Sequence, residues 1–182
     1  EAARWAAQIN EALGAPGRTL KLSQPIADPG IATASLDELV TDMNAGQVDT
    51  LVILNANPVY TAPGSLDFAR ALSKVKTSIH LGLYRDETGH RCPYQLPLTH
   101  DLESWSDARA VDGTATIIQP VMTPFYDVRS RHQLMAMMLG RDEAADLSVK
   151  TTWRETFGES FDARWTKAWR DGFVAEGIPE IQ

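Results

Sequence analysis

The stretch Val48-Asp-Thr-Leu-Val-Ile-Leu54, followed by Asn55-Ala-Asn57-Pro58, decides the fold. A nearly continuous apolar run of this length is what a parallel strand shows when both its faces are buried. The Asn-x-Asn-Pro segment ends it, because Asn tolerates turn geometry and Pro cannot donate to a ladder. Before it, Ser35 and Glu38 form a capping box, and Leu36, Leu39, Val40 and Met43 make the apolar face of a helix ending near Gly46. After it, Leu66, Phe68, Ala69 and Leu72 support a helix over 65–74. Thr77-Ser-Ile-His-Leu-Gly-Leu-Tyr84 then reads as a second strand.

Further outward the alternation continues. Trp5, Ile9 and Leu13 share one face of a helix over 2–13, which Gly14 stops. Residues 19–23 alternate like a short strand, and a loop through Pro25, Pro29 and Gly30 follows. Cys92 to Pro97 is extended, because its prolines exclude helix. Residues 98–113 read as a charged loop, 114–119 as a strand, and Ser130 caps a helix over 131–139 that ends at Gly140. This order predicts an α/β fold: an open, mostly parallel sheet with helices on both faces, over residues 1–140.

Residues 141–182 form a helical tail without a strand signal. Trp153, Phe157, Phe161, Trp165, Trp169 and Phe173 recur every four residues, a stripe that drifts about 40° per step around a helix. Gly158 interrupts it, leaving a helix from Ser160 to about Arg170. The stripe is either a face packed on the chain's own core or a docking surface for a neighbouring domain or subunit.

Composition excludes several classes. The chain has 182 residues, 17 basic against 24 acidic for a net charge of −7, and a single cysteine. One cysteine excludes a disulfide framework and a cysteine-rich zinc site. The acidic balance argues against nucleic acid as a partner. No apolar run reaches the roughly 20 residues that a membrane-spanning helix needs. The first residues read as a helix already under way, without an initiator Met or a cap, and the chain stops at Ile-Pro-Glu-Ile-Gln182. Both ends are those expected of a piece of a longer protein.

Fingerprints of common chemistry are missing: no G-x-G-x-x-G, no phosphate-binding P-loop, no H-E-x-x-H and no G-x-S-x-G. His80, alternating within a strand, reads as a satisfied structural residue. His100 and Glu103 read as a hydrogen-bonded turn in preference to half of a metal site. Cys92, before an apolar stretch, reads as buried in preference to redox-active. In open parallel sheets ligands bind beyond the carboxyl ends of strands. That rule singles out Asn55, Asn57 and Pro58 after one strand, and Asp86, Glu87 and Thr88 after the next. Each group serves equally well as an ordinary turn.

The order Asn-x-Asn57-Pro58, Pro63, Ala71-Leu72, Glu87-Thr88, Leu96-Pro97, Glu103, Gly113, Gln119-Pro120 and Pro124 resembles the third, Rossmann-like domain of the molybdopterin oxidoreductase family, over about residues 46–140. Leu83 to Thr88, Cys92 to Pro97, His100 to Arg109 and Asp112-Gly113-Thr114 are most similar to the molybdopterin-like half of the iron–sulfur subunit of alternative complex III. In active members this domain helps hold the guanine dinucleotide part of the molybdenum cofactor. Members of the nearer branch keep the fold without the cofactor and carry their iron–sulfur clusters elsewhere in a longer chain. The resemblance therefore implies a non-catalytic scaffold with no cofactor of its own. Its partners would be other domains of the parent and other subunits of a membrane-bound respiratory complex, and the parent would be exported. The alternative it implies is a domain contributing to a molybdopterin guanine dinucleotide pocket. The positions matching the cofactor loops are Asn57, Pro58, Glu87 and Thr88, with Ala56 where the family has Gly, Gly89 where it has Ala, and Ser106 at another Gly position.

Overall fold

The computed structural model describes residues 2–21 and 34–174. The expected loop through Pro25, Pro29 and Gly30, and the last residues of the chain, lie outside them. Three parallel strands form one sheet in the order β1 (Thr50–Leu54), β2 (Thr77–Gly82) and β3 (Tyr94–Pro97). The register puts Ile53 beside His80 and His80 beside Gln95, with Leu54, Leu81 and Leu96 one step on. Successive side chains point to opposite faces, so these two rows lie on opposite sides of the sheet.

Ile53 packs with Val40 and Met43 of α2 (Leu36–Asn44) and with Phe68, Ala71 and Leu72 of α4 (Phe68–Leu72). Cys92 is buried in the same cluster. The opposite row meets Leu134 of α5 (Arg131–Met138), with Leu98 beside it. Helices therefore cover both faces of an open parallel sheet, as the alternation predicts. α2 begins at the Ser35 box: Ser35 Oγ accepts from the Glu38 N–H at 3.2 Å, and Glu38 accepts from the Ser35 N–H at 2.7 Å. Ser130 and Gln133 build the same device for α5.

Three sequence expectations change. The strand at 114–119 is β5 (Ala115–Ile118), and it belongs to a second, antiparallel sheet in the order β4-β5-β6. The charged loop 98–113 contains β4 (Ser106–Arg109), whose four residues carry no apolar alternation and form a strand only because β5 pairs with them. The tail supplies β6 (Phe173–Val174). In the 19–23 segment, Leu20 makes an isolated bridge with Pro16, while Leu22 and Ser23 lie outside the described residues.

The tail folds into α6 (Ala145–Phe157) and α7 (Phe161–Asp171), separated by one tight turn. Gly158 makes that break with φ +55°, a region side chains disfavour. Trp153, Phe157 and Phe161 are buried against Ala115 and Ile117 of β5, joined by Trp105 and Trp165. The stripe then drifts to the surface, and Trp169 is 50% exposed. The first helix, α1 (Ala2–Ala12), has no buried residue. No helix among the described residues is long and apolar enough to cross a membrane.

Candidate functional site

The carboxyl ends of β1 and β2 bring Asn57, Glu87 and Thr88 together, with Pro58 next in the chain. After β1, Asn55 takes φ +50°, a conformation Asn tolerates, and its N–H bonds to the Leu81 carbonyl at 2.7 Å. Asn57 then reaches across to the β2 turn. Its amide nitrogen donates to Glu87 Oε2 at 2.7 Å. Its Oδ1 accepts from Thr88 Oγ1 at 2.8 Å and from the Thr88 N–H at 3.3 Å. Thr88 Oγ1 in turn accepts from the Val59 N–H at 3.0 Å. Pro58 opens α3 (Pro58–Thr61) at its first position, where a missing N–H costs nothing.

Thr88 is fully buried, whereas Glu87 is exposed. The Asn57 hydrogen bond holds the Glu87 carboxyl below its ordinary value. The residues after β2 close a local turn: Asp86 Oδ1 accepts from the Gly89 N–H at 2.8 Å.

Beneath this crest sits His80, with no exposed surface. Its Nε2 lies 3.0 Å from the Ala56 carbonyl and its Nδ1 2.8 Å from Gln95 Oε1. The Ala56 carbonyl only accepts, so Nε2 carries the hydrogen, and Nδ1 then accepts from Gln95 with its side-chain amide turned to present the NH2 group. His80 is thus the satisfied structural residue its place in the strand implied. Two glycines make room for it. A Cβ on Gly82 would lie 2.5 Å from His80 Cε1, and one on Gly89 would overlap Gln95 Oε1 and stand 3.1 Å from His80 Nδ1. Gly89, where the resemblance places Ala, leaves the space that the His80–Gln95 pair fills. Sequence reasoning missed Gln95 and Ala56 as its partners; the strand register that pairs His80 with Gln95 is the signal that finds the first.

These turns offer little to a dinucleotide. A pyrophosphate needs free backbone N–H groups and a chain that can approach closely. Here eight N–H groups of the two turns, those of Asn55, Val59, Tyr60, Thr61, Thr88, Gly89, His90 and Arg91, are bonded within the chain, which leaves a pyrophosphate few donors. Ala56 carries a side chain where the resemblance places Gly, and its carbonyl is held by His80. An ionised Glu87 would stand beside the phosphates.

A second feature lies where the two sheets meet. A cleft of about 490 Å³ is lined by Asp101, Ser106, Asp107, Arg131, His132 and Met135, among others. His132 Nε2 is 3.2 Å from Ser106 Oγ, Arg131 pairs with Asp101 at 3.2 Å, and Asp107 accepts from the Trp153 indole N–H at 2.9 Å. Burial lowers the pKa of His132; Asp107 raises it and Arg131 lowers it further. Nearby, His100 and Glu103 cap a single turn: His100 Nδ1 accepts from the Leu102 N–H, and Glu103 accepts from the His100 N–H. Both are occupied as a turn, as their spacing suggested. Among the described residues, no three His, Cys, Asp or Glu side chains are grouped as metal ligands.

No family model matches this sequence. The chain is similar to the menaquinone reductase molybdopterin-binding-like subunit of Nitratidesulfovibrio vulgaris (strain Hildenborough), with 27% identity over 103 residues. The alignment covers 54% of this chain and 15% of that protein, so the chain spans a small part of its relative's length. A relationship of the molybdopterin-oxidoreductase kind is what this likeness supports.

Proposed function

We propose that this chain is a non-catalytic scaffold and docking domain of a longer, molybdopterin-oxidoreductase-like subunit that takes part in respiratory electron transfer. The observation that carries the reading is the closed crest of the parallel sheet. The side chains of Asn57, Glu87 and Thr88, at positions that match the cofactor loops of the family this chain resembles, bond to one another, and the Ala56 carbonyl is held by His80. Likeness to a molybdopterin-binding-like subunit of a menaquinone reductase supports the electron-transfer setting. In this reading iron–sulfur clusters elsewhere in the parent move the electrons. The parent is exported and membrane-associated on the periplasmic side, in the manner of the iron–sulfur subunit of alternative complex III.

Metal analysis of the intact parent tests the reading. Iron without stoichiometric molybdenum or pterin is the expected result. Stoichiometric molybdenum would overturn it and favour the alternative, a cofactor-binding domain of an active molybdenum oxidoreductase. Calorimetric titration with guanosine diphosphate gives a second check: saturable binding that Asn57→Ala abolishes would contradict a closed crest.

A further inference from the structure

Among the described residues, nothing covers the apolar face of α1. At about 100° per residue, Ala12, Trp5, Ile9, Ala2, Leu13 and Ala6 fall on one continuous arc of about 120°. Trp5, Ile9 and Leu13 are 65%, 56% and 72% exposed, and no residue of the helix is buried. An isolated helix of this length is marginal in water, even one rich in alanine. A stripe at i, i+4 and i+8 with alanines at its borders is the form taken by a helix that lies in an apolar groove. The large side chains act as anchors, and the alanines let backbones come close.

The opposite face distinguishes between kinds of partner. It carries Arg4, Gln8, Asn10 and Glu11, whose single positive and single negative charge cancel. A helix that lies on anionic lipid is rich in Lys and Arg on its polar face, and this one is not. The chemistry favours a protein groove that is apolar and uncharged, with a pocket for an indole. The relative this chain matches is several times longer, and the alignment covers only 15% of it.

We propose that α1 docks by its Trp5–Ile9–Leu13 face into an apolar groove on another part of the longer polypeptide, an inference that rests on the scaffold reading above. The test is hydrogen exchange on the intact parent, comparing wild type with Ile9→Glu and with Gln8→Glu on the polar face. A docked helix is expected to show α1 amides protected at least about 100-fold over coil rates. Ile9→Glu is expected to bring them back to coil rates while β2 stays protected, and Gln8→Glu to change nothing. If Ile9→Glu also exposes β2, Trp5→Ala decides by the same criterion. Coil-rate exchange of α1 in the wild type overturns the proposal, as does protection that survives both Ile9→Glu and Trp5→Ala. So does protection that grows with protein concentration, which means a second copy, or that needs anionic phosphatidylglycerol vesicles. Metal content is read separately on the same sample, so failure of the scaffold reading and failure of the docking are distinguishable.

Discussion

The two sheets solve the burial problem with different side chains. The parallel sheet is covered on both faces, and mostly aliphatic residues do the covering: Val40, Met43, Ile53 and Leu72 on one side, Leu81, Leu98 and Leu134 on the other. Burial from both sides leaves no water for polar groups, so His80 and Thr88 are satisfied by fixed partners within the chain. The antiparallel sheet has strands of four, four and two residues, and β5 alternates buried with less buried positions. Short strands offer little area of their own, and large rings supply it. Trp153, Phe157, Phe161, Trp165 and Trp105 follow one another with centroids 5.0 to 6.5 Å apart. Arg154 and Arg164 lie 4.6 and 4.2 Å from the ring centres of Phe161 and Phe157, covering the rings with cationic heads. One half thus rests on polar fit within a thin aliphatic core, and the other on ring packing.

The largest expected effect strikes the ring-packed half. Trp153→Ala removes the tilted ring contact with Phe157 and leaves the Asp107 carboxylate without its indole donor. Core Trp truncations of this kind cost about 3–5 kcal/mol, which urea denaturation measures directly. Trp169→Ala, at a half-exposed ring, is expected to cost less than about 1 kcal/mol. Equal losses from the two would mean that the rings are not the core of this half. Next comes the polar fit of the parallel half. Gly82→Ala forces a methyl against the buried His80 ring, whose two nitrogens are both held, and overpacking of this kind costs about 1–3 kcal/mol. Gly89→Ala meets first the far end of Gln95, which can turn away and give up its bond to His80, and only then His80 Nδ1 at 3.1 Å. The expected loss is about 1–2 kcal/mol, the lower part of the range for a buried nitrogen left without its partner. If Gly89→Ala proved the more damaging, the His80 ring would not be the fixed point of this crest.

The same contrast explains what could be read from the sequence. β1 was legible because burial from both sides produces an uninterrupted apolar run, and α2 and α5 because Ser35–Glu38 and Ser130–Gln133 are local devices three residues apart. The aromatic stripe was visible as a period of four. What covers Trp153 and Phe157 was not, because β4 is Ser-Asp-Ala-Arg, a polar strand defined by its partner. At the crest, Asn57, Pro58, Glu87 and Thr88 were found by position at the strand ends. Their contact spans about thirty residues of sequence and follows only from the pairing of β1 with β2. Ala56 stands out against the pattern this chain resembles, yet its partnership with His80 runs through a backbone carbonyl, which side-chain identity does not encode.

The smallest expected effect lies at the seam, where α5 of the parallel half meets β4 of the antiparallel one. His132 stands there with Nε2 3.2 Å from Ser106 Oγ. Burial depresses its pKa below the ordinary 6.5, Arg131 adds to the depression, and Asp107 opposes it. The unfolded chain therefore takes up the His132 proton at higher pH than the folded one. The His132 contribution to stability is fully present above pH 6.5 and is lost as pH falls through the depressed folded value. His132→Gln keeps a polar group facing Ser106 and removes the titration. The urea midpoint of the wild type is expected to fall more steeply than that of the variant below pH 6.5, with the two running parallel above it. Identical slopes on the acid side would mean that His132 titrates as freely folded as unfolded, and that the seam is open to water in a way neither sheet is.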